Sequence, residues 1–150
     1  MIYYLTAVIA GIGGTLLMTG FVYLIAYITG NNFKVVKILG TMLTNNTHRN
    51  KSTDGSPETI ITGMIAHYLI GVFFSIIYAW LWSKGIGKPA LGSAIVFGAL
   101  NGLFAMLFWY TFFRLHSNAP AIKLSAYLFV IGIGHLFFST GVVSCFSILY

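Results

Sequence analysis

Two histidines and one asparagine, His67, His135 and Asn101, lie inside long uncharged apolar stretches of this sequence. If these stretches cross a membrane, an ionisable side chain within them is costly and indicates a functional site by default. Neutral imidazole can ligate haem or a transition metal, and it can relay a proton. The structural alternative is a hydrogen bond from each histidine to a neighbouring helix, and the sequence leaves both alternatives open. For Asn101 it favours an interhelical hydrogen bond.

Groups of catalytic residues are not recognisable in the rest of the sequence. The only acidic residues are Asp54 and Glu58, and both lie in a polar segment between apolar stretches. We find no Ser-His-Asp or Cys-His set at a readable spacing. The glycines of residues 11–14 fall within an apolar stretch, where they serve packing and not phosphate binding. We therefore predict no catalytic residues and favour a non-enzymatic role.

The composition places these residues in a membrane protein. Hydrophobic residues make up 58% of the 150 residues and charged residues 7%, whereas soluble domains carry about 25% charged residues. Four uncharged apolar stretches occupy residues 2–29, 60–83, 90–113 and 124–150. Each exceeds the roughly 20 residues that a helix needs to cross a bilayer. Because backbone groups in lipid must be satisfied internally, we predict an all-α integral membrane four-helix bundle, a single domain over residues 1–150.

The basic residues lie between the apolar stretches and not within them. Six of the eight occupy the first and third connecting segments: Lys34, Lys37, Arg49, Lys51, Arg114 and Lys123. Lysine and arginine accumulate on the cytoplasmic side, so we predict that both termini lie outside the cytoplasm. We expect the six residues to contact lipid headgroups, and we expect no nucleic-acid partner despite the formal net charge of +6.

The first connecting segment is predicted to contain a short amphipathic helix. Residues 33–44 place two lysines and two threonines at helical spacing on an otherwise apolar wheel. This pattern is typical of a helix that lies at the membrane interface, and packing against the bundle is the alternative. Further along, Ser56, Pro57 and Glu58 form a helix start signal with Ser56 as the N-cap.

Small residues recur at helical spacing in three of the four apolar stretches. The predicted packing faces contain Gly11, Thr15 and Thr19, then Gly63, Gly71 and Ser75, and finally Gly98 and Gly102. Such faces let helix backbones approach closely in lipid, so their first use is to build the bundle itself. Because they offer more surface than one bundle needs, they also favour association with further copies or with other membrane proteins.

The two halves of the sequence resemble each other weakly. Small residues spaced by four precede Met18 in the first stretch and Met106 in the third, and the second and fourth stretches each carry one histidine. This pattern predicts a two-fold internal repeat of helix pairs. The two histidines then lie at depths that differ by roughly one helical turn, on faces that carry small residues. We predict that His67 and His135 face the same interior space.

Three short stretches carry a family resemblance. They are residues 13–19 (GGTLLMT), residues 37–43 (KILGTML) and residues 67–71 (HYLIG). Together they resemble the small four-span bacterial membrane proteins of unknown function typified by the YagU-like group. The resemblance implies a compact bundle in the bacterial inner membrane, and it brings no activity and no catalytic residues.

These observations lead us to expect a small polytopic membrane protein that is a non-enzymatic subunit of a homo- or hetero-oligomeric assembly, with a transport or channel role. One alternative is a redox anchor that holds haem or a metal between His67 and His135. The other is a lipid-interacting protein that uses the helix of residues 33–44.

Overall fold

The computed structural model describes residues 2–150, and within this range it contains five α-helices and no strand. The helices are α1 (Ile2–Thr29), α2 (Val35–Leu43), α3 (Pro57–Ser83), α4 (Leu91–Leu115) and α5 (Leu124–Leu149). Four of them, all except α2, are long and apolar enough to cross a membrane. The predicted all-α fold with four apolar spans is confirmed.

The start of α3 follows from its capping residues. The Ser56 hydroxyl accepts a hydrogen bond from the Thr59 backbone N–H at 3.4 Å. Pro57 occupies the first turn, where its missing N–H has no cost, and Glu58 lies near the positive end of the helix dipole. The helix therefore begins at Pro57, three residues before the predicted apolar stretch, because the cap and not the first apolar residue sets its start.

The long helices pack in the order α3, α1, α5 and α4, and α2 packs against α3. Three close interfaces, α3–α1, α1–α5 and α5–α4, join these neighbours. The backbones of α3 and α4 stay apart and meet through large rings, such as Phe74 and Phe104 with centroids 6.1 Å apart. A two-fold repeat of helix pairs would make the α1–α5 and α3–α4 interfaces equivalent, so the fold departs from that symmetry here.

Glycines set the distance between helices at the close interfaces. A Cβ atom on Gly141 of α5 would lie 2.8 Å from the Gly14 Cα atom of α1. A Cβ atom on Gly11 would lie 2.7 Å from the Val72 Cα atom of α3. Such distances are shorter than van der Waals contact, so these helices reach their separation because no side chain intervenes.

The helix α2 packs against the bundle instead of lying free on its surface. Seven of its nine residues are buried. A Cβ atom on Gly40 would collide with the Thr59 backbone, and one on Gly63 would collide with the Val36 carbonyl oxygen. Of the two alternatives that the sequence left open for this segment, the structure shows packing against α3.

Polar contacts hold α2 to the start of α3. The Asp54 backbone N–H donates to the Thr41 hydroxyl at 3.0 Å, and the Asp54 carboxylate accepts from the hydroxyls of Ser56 and Thr59. These hydrogen bonds stabilise the charged carboxylate and lower the pKa of Asp54 to about 2. The Asp54 backbone N–H therefore links this segment to α2, and its carboxylate, which stays ionised at neutral pH, holds the start of α3.

The two connecting segments at this end of the bundle are also joined to each other. The Thr47 hydroxyl donates to the Asn118 carbonyl at 2.5 Å, and the Ala121 N–H donates to the Lys51 carbonyl at 2.7 Å. We call this region, formed by α2 and residues 44–56 and 116–123, the α2 end.

Candidate functional site

A cavity of about 300 Å³ lies between α3 and α4. Thr15 and Met18 of α1 and residues of α5 form its floor, and Val35 and Leu39 of α2 line it at the α2 end. We call it the α3–α4 cavity. Two of its wall residues, Phe73 and Phe104, are 59% and 57% exposed. The cavity therefore opens sideways, toward the side of the bundle that faces lipid in a membrane.

Large aromatic side chains keep this interface open. Beyond the cavity, toward the end opposite α2, the rings of Tyr78 and Phe97 pack with centroids 4.9 Å apart and Trp82 stacks on Phe97. The Tyr78 hydroxyl lies 2.8 Å from the Ser139 hydroxyl, so this closure also contacts α5. Because rings and not glycines fill the α3–α4 interface, the helices cannot close over the space between them.

The cavity brings together the three polar residues singled out from the sequence. His67 comes from α3, Asn101 from α4 and His135 from α5, and all three line its wall. His67 and Asn101 are both buried, and His135 is partly buried. Three polar side chains from three helices thus converge on one space that is otherwise mainly apolar.

The hydrogen-bond geometry around His67 favours one tautomer of its neutral ring. The Thr19 hydroxyl lies 2.7 Å from the Thr15 carbonyl and 3.0 Å from the His67 Nε2 atom. A carbonyl can only accept, so the single hydroxyl hydrogen of Thr19 goes to Thr15. His67 Nε2–H then donates to Thr19, and its Nδ1 atom carries a lone pair.

His135 has the opposite arrangement. Its Nδ1 atom lies 2.8 Å from the Ile131 carbonyl of the same helix and must donate to it. In the neutral ring the Nε2 atom is therefore the acceptor. Each of the two histidines thus has one ring nitrogen with a lone pair, and both residues line the cavity.

The interhelical hydrogen bond predicted for Asn101 is not made by its amide nitrogen. Its amide nitrogen is buried and has no hydrogen-bond partner within residues 2–150. The reason lies across the gap, where α3 contributes apolar side chains such as Ile70 and Phe74 to the same cavity. A buried amide without a partner loses the hydrogen bonds that water would give it, so it is available to a ligand.

The cavity lining holds no Lys, Arg, Asp or Glu. Residues 2–150 contain no cluster of three or more His, Cys, Asp or Glu side chains placed to hold a metal ion. The available chemistry is therefore two neutral imidazole acceptors, one amide group and an apolar wall, which suits a neutral molecule that can both donate and accept hydrogen bonds.

The residues predicted to pack helices lie on the close interfaces or beside the cavity. Gly11, Gly71 and Ser75 lie between α1 and α3, and Gly63 lies against α2. Gly98 and Gly102 lie against α5, where a Cβ atom on Gly102 would be 2.7 Å from the Gly132 carbonyl oxygen. Within the chain, these small-residue faces are covered by its own helices.

The six residues predicted to contact lipid headgroups lie at or beside the α2 end. The Lys51 Nζ atom donates to the Asn118 side chain at 3.1 Å, and the Arg114 guanidinium lies 5.4 Å from the centre of the Tyr110 ring. Lys34 and Lys37 line a second crevice between α1, α2 and α3. Lys84 and Lys88 lie at the opposite end, in the segment between α3 and α4.

Two contacts at or beside the site could not be predicted from the sequence. Thr19 was predicted to pack helices, yet it holds the His67 ring from a position 48 residues away along the chain. The Tyr78–Ser139 contact spans 61 residues. Neither pair has a local spacing pattern, so only the helix arrangement reveals them.

Comparison with known protein families, with curated proteins and with solved structures found no match to this chain.

Proposed function

We propose that this protein is a non-enzymatic membrane protein that binds a neutral, lipid-soluble molecule in the α3–α4 cavity. The observation that carries the proposal is the convergence of His67, Asn101 and His135 on one apolar space with an unpartnered amide. Apolar pockets with a few well-placed polar groups are the usual form of small-molecule sites. The side opening supplies a route for the molecule from the surrounding lipid.

The dimensions and polarity of the cavity narrow the class of ligand. An apolar cavity of about 150 Å³ holds one benzene ring, and the α3–α4 cavity is about 300 Å³. It therefore suits a group of about two rings, or a chain of similar volume, with any longer tail passing out between Phe73 and Phe104. A hydroxyl on the ligand donates to an imidazole, and a carbonyl accepts from Asn101.

Equilibrium dialysis of the protein in neutral-lipid nanodiscs tests this proposal. The probe is 2-naphthol, and 2-methoxynaphthalene is its matched control without a donor. Empty nanodiscs of the same lipid correct for partition. We expect saturable binding of naphthol about fivefold tighter than that of the methyl ether, the value of one net hydrogen bond. Equal affinities, or no binding beyond that of empty nanodiscs, would contradict the proposal.

The haem alternative has a direct spectroscopic test. His67 Nδ1 and His135 Nε2 would be the nitrogens left to hold a haem iron, because the other two make hydrogen bonds. The four pyrrole rings of haem need more room than the cavity of about 300 Å³ provides. A Soret band in the purified protein that disappears in His67→Leu and in His135→Leu would assign the cavity to haem. That result would contradict the proposal of a neutral ligand.

Assembly with further copies or with another membrane protein, and a transport or channel role within such an assembly, stay predictions. The small-residue faces that favoured assembly are covered inside the chain, as at Gly11 and Gly102. Native mass spectrometry from nanodiscs would test the assembly: a complex heavier than one chain supports it, and a strict monomer without partners contradicts it.

We also propose a location in the bacterial inner membrane with both termini outside the cytoplasm. The family resemblance supports the assignment to the bacterial inner membrane. The six basic residues at the α2 end support the placement of both termini outside the cytoplasm. Cysteines placed at Asn50 and Gly85 in a Cys145→Ser background report the two ends. An impermeant reagent added outside should label position 85 alone. Labelling of position 50 would show that the orientation is the opposite of the one proposed.

A further inference from the structure

A second crevice, with a volume of about 490 Å³, opens at the α2 end between α1, α2 and α3. Its polar and apolar lining includes Lys34, Lys37, Tyr23, Tyr68, Ile60 and Met64. It shares no lining residue with the α3–α4 cavity, so an inference about it does not rest on the proposed function.

Two lysines give this crevice a positive rim. Lys34 is exposed and Lys37 is partly buried, with its Nζ atom beside Gly55. In residues 2–150 the one contact between a basic group and a carboxylate joins His48 and Asp54, so neither lysine has an acidic partner in the chain. The rim therefore holds two uncompensated cations a few residues from the end of α1.

Below the rim the crevice runs along α3, where Ile60 and Met64 form an apolar wall, and Thr19 and Tyr23 of α1 also line it. Ile60 and Met64 follow the lysines, and Met64 is 48% exposed, so this wall is open to the side. Tyr68 marks the lower end, eleven residues after the start of α3, which corresponds to a depth of about 16 Å. A charged rim above an apolar channel of this depth matches the headgroup and upper acyl chain of a lipid.

We infer that this crevice binds one anionic glycerophospholipid of the surrounding bilayer. Its phosphate lies between Lys34 and Lys37, and one acyl chain runs along Ile60 and Met64 toward Tyr68. Basic pockets between membrane helices attract lipids of this class at the surface where basic residues accumulate. A zwitterionic lipid gains less, because its own cation opposes the two lysines.

Native mass spectrometry of protein released from nanodiscs tests the inference. The discs contain equal amounts of phosphatidylglycerol and phosphatidylcholine. We expect the wild type to retain one phosphatidylglycerol in preference to phosphatidylcholine. In the double variant Lys34→Gln/Lys37→Gln, the ratio of retained phosphatidylglycerol to phosphatidylcholine should fall by about 30-fold, the effect of two lysines near a lipid surface. The matched control Lys84→Gln/Lys88→Gln removes the same charge at the opposite end and should retain the lipid. Equal loss in both variants would overturn the inference.

A second variant separates a crevice from a merely charged surface. Met64→Trp fills the apolar channel without changing charge, and we expect it to lose the retained lipid while circular dichroism and melting temperature stay those of the wild type. Retention of the lipid by this folded variant would place the lipid on the surface and would overturn the inference.

Inorganic phosphate is the remaining probe, because the lysines could also recognise a soluble anion. The inference predicts that phosphate at millimolar concentration neither binds saturably to the protein in neutral detergent nor displaces phosphatidylglycerol. Saturable phosphate binding that is lost in Lys34→Gln/Lys37→Gln would assign the rim to a soluble anion and would overturn the lipid assignment.

Discussion

The α1–α5 and α3–α4 interfaces are built from equally apolar helices and have opposite forms. Between α1 and α5, Gly14 and Gly141 let the backbones touch. Between α3 and α4, rings such as Phe74 and Phe104 hold the backbones apart and leave a cavity. Lipid competes for apolar surface at both interfaces, so hydrophobicity cannot distinguish them. Side-chain size decides whether two spans form an interface or a site.

Unpartnered polar groups occur both at a close interface and in the cavity, in different surroundings. At the close α1–α3 interface, the Ser75 hydroxyl is buried and has no hydrogen-bond partner within residues 2–150. In the α3–α4 cavity, Asn101 has no partner for its amide nitrogen. The Ser75 hydroxyl is enclosed between two closely packed helices, whereas the Asn101 amide lines an open cavity, where a ligand can reach it.

The largest effect is expected from a substitution that breaks the close α1–α5 interface. In Gly14→Val, a Cβ atom would lie 2.6 Å from the Phe138 carbonyl oxygen, and such overpacking costs about 1–3 kcal/mol. The free energy of unfolding, measured by SDS titration in mixed micelles, should fall by this amount. The matched control is Gly20→Val, because Gly20 lies on the same helix with nothing within 4 Å. Equal losses in the two variants would show that glycine contacts do not define this interface.

The next effect concerns the cavity. Ala105→Phe places a ring in the α3–α4 cavity, which Ala105 lines, and should lower 2-naphthol affinity more than tenfold by occupying its volume. We expect little change in unfolding free energy, since the space is open. Leu107→Phe adds a ring on the outer face, where Leu107 is 65% exposed, and should leave binding unchanged. Full naphthol binding by Ala105→Phe would place the probe elsewhere.

Substitution of each histidine should distinguish its contribution to stability from its contribution to ligand binding. His67→Leu removes the bond to Thr19, and intramembrane hydrogen bonds average about 0.6 kcal/mol. His135→Leu should cost less, because its bond is to a carbonyl of its own helix. Because 2-naphthol has one hydroxyl hydrogen, the variant that removes the imidazole accepting it should weaken binding by up to about tenfold. Stability losses without any change in affinity would assign the histidines a structural role alone.

The smallest effect is the pH response of the α2 end. The pKa of Asp54 is about 2 in the folded chain, below its ordinary 3.8, so the carboxylate stabilises the fold above pH 4. That contribution should disappear as the pH falls from about 4 through about 2. Unfolding measured across this range should show the loss in the wild type and not in Asp54→Asn. Identical pH profiles for the wild type and Asp54→Asn would exclude the Asp54 contacts as the source of the loss in stability.

The fold was predictable to a greater extent than the site. The length of each apolar stretch predicted four spans, and the Ser56 cap predicted where α3 begins, since both depend on residues close in sequence. The sequence placed His67 and His135 at similar depth, yet it assigned Asn101 an interhelical hydrogen bond that its amide nitrogen does not make. Whether a polar side chain finds a partner depends on which helix lies opposite, and local spacing does not contain that information.

The sequence by itself determined that the chain is helical and suited to a membrane, because uncharged stretches of this length must satisfy their backbone groups internally. Only the tertiary structure decided which helices are neighbours, and so which interface stays open. It brought Thr19 to His67 across 48 residues and packed α2 against α3 through Gly40 and Gly63. Helix formation is a local process, whereas the fit of large and small side chains between helices depends on residues far apart in the chain.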